Sequence, residues 1–285
     1  MAIIRHETVL VNHEIRSDGN YAAVQVKLSP ANYSGTCTWC IEATGTTGSG
    51  TTSFILKDLA GNTHATLDFT ETSPTLKRAE FSTPPTADNY YATVSGDGII
   101  YNPKVVCLQD VGSSCSGSET QIEIGGYIST TSTIPVPLGE PKYFAYNSAE
   151  WDGTISAYFD VSGGIDSPGV ATFYLEEDDG SWGNWEAITN VTLDSYGLVR
   201  SDDIFDSLTN GRHYRISIKT SDALYDAGNY LAKLVFVQSG TVTKMAETMT
   251  MLSNSDEVSN FGPVPTGLVK YLSADWTDSN VSFKY

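Results

Sequence analysis

Helical periodicity is the first thing this chain lacks: apolar residues nowhere keep a three- and four-residue spacing for more than a turn or so. That argues against a helical bundle or an alternating α/β fold. No run approaches the roughly 18 consecutive apolar residues of a membrane-spanning helix. Positive charge is scarce, with 16 Lys and Arg against 34 Asp and Glu and a net charge of −18. A field of that sign repels a phosphate backbone, which argues against nucleic acid as a partner. Cysteine occurs four times, at Cys37, Cys40, Cys107 and Cys115, and never afterwards. Motifs of the GxSxG, P-loop, GxGxxG and HExxH types are missing, and the four histidines (6, 13, 64 and 213) form no ligating pair. Without a convergent acid–base set the chain reads as a non-enzyme. The first residues also lack the apolar core and small-residue cleavage site of a secretory signal. The expectation is a protein made and kept in the cytoplasm until something releases it.

What is present is short, alternating and punctuated. Charged residues make up 18% of the 285, below the roughly 25% of an average soluble protein, so Ser, Thr, Asn and Gly must cover much of the surface. Apolar residues alternate in short runs bounded by Gly, Pro, Asn and Asp. Strands are predicted at 7–15, 21–29, 36–43, 52–58, 64–69, 76–81, 90–95 and 104–110, and again at 120–128, 142–146, 154–161, 170–177, 185–193, 198–204, 213–220 and 230–238. The fold expected is all-β: two tandem antiparallel β-sandwich, jelly-roll-like modules, residues 1–115 and 116–243, plus a C-terminal partial third repeat over 244–285. GSSCSGS (112–118) is read as the linker.

The partial repeat rests on a fixed spacing. Glu119-Thr120, Pro135-Val136-Pro137 and Lys142-Tyr143 return as Glu247-Thr248, Pro263-Val264-Pro265 and Lys270-Tyr271, each 128 residues further on. Such a segment brings an apolar face and an unpaired strand edge, with Met249, Met251, Tyr271 and Phe283 as its assembly residues. It can add to the second module, be completed by a neighbouring chain, or belong to a longer array.

Several positions recur between the copies. Tyr33, Trp151 and Trp276 each stand at the turn into a third strand, where an aromatic plugs the end of a sandwich or, alternatively, offers a ligand platform. Arg78 falls on Arg200, Tyr91 on Tyr214 and Gln109 on Gln238. Cys37-Thr-Trp-Cys40 has CxxC spacing but lies within a strand, where residues three apart face opposite ways. Buried free thiols, disulfides and a metal site remain the readings, in that order. The turn EEDDGSWGNW (176–185) has no counterpart of equal length in the first copy. Asp178 and Asp179 there could hold a Ca²⁺ through oxygens, and Trp182 could stack on a sugar or a partner protein. No other cofactor is expected.

The pattern around Trp151, Gly153, Tyr158, Arg200, Tyr214 and Gln238, echoed by Tyr33, Gly35, Arg78, Tyr91 and Gln109, resembles β-sandwich modules of phage and virus structural proteins and of microbial surface proteins. The resemblance implies a structural or attachment role in a virion or surface filament and no catalytic residue. The expected function is a structural, self-associating protein of a phage or virus particle: a capsid, decoration or tail component whose partners are its own copies and other virion proteins. A carbohydrate-binding adhesin or fibre module, which would bind glycan, is the alternative, as is a prokaryotic surface-layer or filament subunit at the cell surface.

Overall fold

The computed structural model describes residues 2–11, 15–16, 24–82, 84, 88–112, 115–137, 144–179 and 184–243. The assembly residues Met249, Met251, Tyr271 and Phe283, together with Trp276 and Trp182, lie outside them. Among the described residues, helical structure is confined to three short 3-10 turns at Pro30–Asn32, Ser148–Glu150 and Phe205–Ser207. Everything else is strand and turn, an all-β sandwich fold. The chain groups into two units. One holds the described residues 2–16 and 28–115, the other 116–243 and the short run 24–27.

Nine strands precede residue 113: β1 (Ala2–Val9), β2 (Ile15–Arg16), β3 (Gln25–Leu28), β4 (Thr36–Gly45), β5 (Thr52–Asp58), β6 (Thr63–Phe69), β7 (Thr75–Phe81), β8 (Asp88–Ser95) and β9 (Ile99–Gly112). They form two sheets ordered β1-β9-β4-β7, with β2 beside β9, and β3-β8-β5-β6. The first strand pairs with the last and the middle strands alternate between sheets, which is jelly-roll connectivity. β5 shows why these residues make a strand. Thr52, Phe54, Leu56 and Asp58 are buried while Ser53, Ile55 and Lys57 lie half-buried, the period of two that a sheet with one core face requires. The sheets meet closely at Gly45, where a Cβ would stand 2.7 Å from the Phe69 ring.

Ten strands follow: β10 (Cys115–Gly125), β11 (Ile128–Thr130), β12 (Val136–Pro137), β13 (Phe144–Ala145), β14 (Thr154–Ile165), β15 (Ala171–Asp178), β16 (Trp185–Leu193), β17 (Gly197–Arg200), β18 (His213–Thr220) and β19 (Ala227–Val242). Their sheets run β10-β19-β14-β17, with β11 beside β19, and β12-β18-β15-β16, with β13 beside β18. This is the order of the first nine, with β13 added beside β18. Between the two sheets, Phe159, Val161, Leu234 and Phe236 pack on Phe173, Leu175, Tyr214 and Ile216. Each such buried side chain contributes roughly 1.5–3 kcal/mol of transfer free energy.

Three sequence expectations need correction. The strand expected at 7–15 is β1, which ends at Val9: the next rung keeps only the Leu10 N–H to Pro103 O bond (2.9 Å), because proline has no N–H to return. The tail of the expected linker is strand: β10 opens at Cys115, and Ser118 is fully buried in it. Small residues there fit a closely packed strand, and their polarity hid it. Tyr91 is not the counterpart of Tyr214. Opposite Asp58 stands Tyr90, as Tyr214 stands opposite Glu177, and Tyr90 is 1% exposed. A slip of one residue moves a side chain to the other face of a sheet.

Candidate functional site

The acidic turn nominated from sequence is held by its own unit. Asp178, buried at the end of β15, accepts the His213 backbone N–H and lies 3.2 Å from His213 Nδ1, latching β15 to the start of β18. Asp179 accepts the Asn184 side-chain amide (3.0 Å) and its own N–H meets Asn184 O, closing the hairpin. The two carboxylates thus serve different elements. Among the described residues no group of three His, Cys, Asp or Glu is placed to hold a metal ion. All four cysteines are free thiols, three buried and Cys37 half-buried.

The repeated positions are linked to one another physically. Trp151 is buried and stacks on Phe236, with ring centroids 4.2 Å apart. Tyr33 is buried edge-on to Trp39 at 5.5 Å. In both units the glutamine near the end of the last long strand fastens the turn that follows the aromatic: Gln109 Nε2 donates to Ser34 O (2.8 Å) and Gln238 Nε2 to Asp152 O (3.1 Å). The next residue is glycine at φ +80° (Gly35) and +77° (Gly153), where a Cβ would strike the Asp110 or Ser239 carbonyl at 2.2 or 2.5 Å. Only glycine fits that corner.

Arg78 and Arg200 belong to charge ladders that cross neighbouring strands of one sheet. Glu42 on β4 stands opposite Arg78 on β7 and Lys104 on β9. It takes Arg78 Nη2 at 2.6 Å, Lys104 Nζ at 3.1 Å and Arg5 Nη2 at 2.9 Å. Glu7 adds a second carboxylate to Arg5 at 2.8 Å. In the second unit Asp160 on β14 stands opposite Arg200 on β17 and Lys233 on β19. Arg200 grips it with two parallel bonds of 2.6 and 2.7 Å. Carboxylates buried this deeply hold their cationic partners and bond geometry fixed.

One surface feature was missed from sequence. The turns at 126–127, 166–170, 194–196 and 221–226 all leave the same end of the second unit, opposite the hairpin of Asp179. There Tyr127, 61% exposed, stacks on Tyr230 at 5.7 Å, and Tyr196, 46% exposed, lies 6.1 Å from Tyr230. The Tyr196 hydroxyl donates to Asp166 at 3.3 Å. Burial, with the neighbouring phenols, pushes the Tyr230 hydroxyl up to about 12. Leu224 and Ile134 are 82% and 70% exposed in turns at this end, joined through Thr220 N–H and Ser132 O. Tyrosines at 127, 196 and 230 leave no linear signal; strand register alone gathers them.

Neither a protein-family model nor a curated protein sequence matches the chain. Among solved structures it is similar to the tandem CBM22-1–CBM22-2 domain of Paenibacillus barcinonensis Xyn10C, at 13% identity over 86% of this chain and 93% of that one, with a TM-score of 0.24. It is also similar to the virus capsid protein STIV MCP (8% identity, 85% and 97% covered, TM-score 0.24). The infectious bursal disease virus VP2 subviral particle follows at 11%, 85% and 73%, with a TM-score of 0.24. Among the described residues no helix is long and apolar enough to cross a membrane.

Proposed function

We propose that this chain is a structural, self-associating component of a virus particle, located in the virion, and that the tyrosine end of its second unit is a contact surface. The observation that carries this is where the chemistry sits. The ionic clusters are turned into the sheets, whereas Tyr127, Tyr196, Leu224 and Ile134 face solvent together at one end. Aromatic and aliphatic groups exposed at one end of a unit are the composition of an interface core. An enzyme would need the reverse arrangement, with polar groups converging on an accessible cleft. The 128-residue repeat supports self-association, since Glu247-Thr248 and Val264-Pro265 repeat the Glu119-Thr120 and Val136-Pro137 that stand in β10 and β12 of the second unit. The test is sedimentation velocity with negative-stain microscopy on three proteins: the full chain, a Y127S/Y196S/L224S variant, and a chain shortened after residue 243. Oligomers or filaments of the full chain that are lost in the variants are the expected result. A full chain that stays monomeric at high concentration overturns the reading.

A second reading, glycan binding, is favoured by the stack itself. Tyr127 and Tyr230 lie nearly parallel, 27° apart, with the Asp166 carboxylate close to Tyr196. Flat rings beside an acceptor suit the apolar face and hydroxyls of a sugar. Binding on a glycan array that Y127A abolishes would establish it, and an array without signal removes it.

A further inference from the structure

The lysine of the second charge ladder has an unusual set of neighbours. Lys233 is 5% exposed, and its Nζ stands 3.1 Å from Gln121 Oε1, one bond from a carboxamide carbon. That amide is fixed in orientation, because its Nε2 donates to Glu119 Oε1 at 2.7 Å. Glu119 is 1% exposed and Gln121 7%. Gln121 and Lys233 line, with Asp160, Leu198 and Leu231, a small cavity of about 10 Å³ of free space, about one water molecule. Desolvation drives the Lys233 ammonium down to about 8, against the pull of Asp160, Glu123 and Glu119. A desolvated, partly neutral amine is a nucleophile. The first unit lacks the acceptor. Its Lys104 meets the carboxylates of Glu42 and Glu7, and Val9, two residues after Glu7 as Gln121 is two after Glu119, stands opposite Lys104.

We infer that Lys233 and Gln121 join in an intramolecular isopeptide bond tying β19 to β10, with Glu119 as the proton carrier. A carboxylate takes one proton from the ammonium, and the freed Nζ lone pair attacks Gln121 Cδ to form the new C–N bond. Glu119, now protonated, delivers its proton to Nε2 as the old C–N bond breaks, and ammonia leaves. The second proton of Nζ passes through the same carboxylate to the departing ammonia. The ammonium and carboxamide have become a secondary amide and an ammonium ion, with atoms and charge balanced and no oxidant needed.

Intact-mass measurement of the purified full chain tests this. The expected mass is one ammonia below that of the sequence, with a branched tryptic peptide joining the segment of Gln121 to that of Lys233. Gln121→Val, which copies the first unit, and Lys233→Arg should both fold, by circular dichroism, and carry their full masses. Glu119→Gln should slow or abolish the mass loss. A wild-type chain of full mass overturns the inference, and so does an ammonia deficit without the branched peptide.

Discussion

The two units share one strand order yet fill their cores differently. In the first, Trp39 on β4 stands opposite Cys107 on β9; in the second, the same pair is Ala157 on β14 and Phe236 on β19. The bulk has crossed from one strand to its neighbour. The plugging aromatic follows it, Tyr33 resting on Trp39 and the larger Trp151 on Phe236, which offsets part of the volume that the second pair gives up. A core accepts hydrophobic exchange when volume and pattern are kept, so the fold constrains the sum over the strand pair and its plug rather than any one residue. The inner three strands of the charge ladders show the opposite constraint. There the acid stays on the central strand with a basic residue on either side, Glu42 becoming Asp160, and Arg5 and Glu7 on β1 extend the first ladder.

The largest expected effect breaks the volume exchange. Trp39→Ala should destabilise the first unit by about 3–5 kcal/mol, the cost of deleting a buried aromatic and leaving its cavity. Adding Cys107→Phe, which writes the second unit's solution into the first, should recover a substantial part. Urea unfolding of the single and double variants measures both, and a double variant no better than W39A would show that the sum is not what matters.

A smaller effect separates the units by pH. His6 is buried in the first unit with Nε2 on Gln109 Oε1 at 2.9 Å, and burial holds its imidazole down to about 4. Between pH about 6.5 and about 4 the unfolded chain binds a proton that the folded one refuses, so stability falls as pH drops through that window. The loss is about 2 kcal/mol at pH 5, on the order of one and a half pKa units. Below it, Asp58 (bonded to His64 and Asn62) and Asp97 (bonded to Ser49, Thr47 and Gly48) are both held down to about 2. Their contribution is present above pH about 4 and lost as pH falls towards about 2. His6→Gln should remove the upper window alone, leaving the lower one in a series of urea titrations.

Much of the fold was legible because period two and turn residues are written along the chain. The strand at 52–58 was foreseen with the bounds the structure gives. What failed were places where the signal is not local. Cys115–Ser118 reads as linker by composition, yet its small polar residues are strand where close packing favours them. The choice between Tyr90 and Tyr91 turned on a register that alternating sequence leaves one residue uncertain. Arg78 and Arg200 were found as repeated letters, but their carboxylate partners lie on strands distant in sequence, and the Tyr127–Tyr230–Tyr196 surface was invisible for the same reason. The acidic turn stood out by composition. Only the fold binds Asp178 to His213 and Asp179 to Asn184.

The finest difference between the units lies in the glutamine that fastens the aromatic turn. Gln238 gives its amide to the Asp152 carbonyl. Gln109 donates its amide N–H to Ser34 O, and its oxygen accepts from His6 Nε2. Replacing either with alanine strands a carbonyl in a buried corner, at a cost of about 1–3 kcal/mol. In the first unit the substitution also removes the partner of a buried imidazole, so Gln109→Ala should cost about 1 kcal/mol more than Gln238→Ala. The excess should vanish in a His6→Phe background, where no ring nitrogen is left to strand, and a double-mutant cycle reads that coupling directly. If the two alanine variants lose equal stability, the histidine contributes nothing through this bond and the two corners are energetically one design.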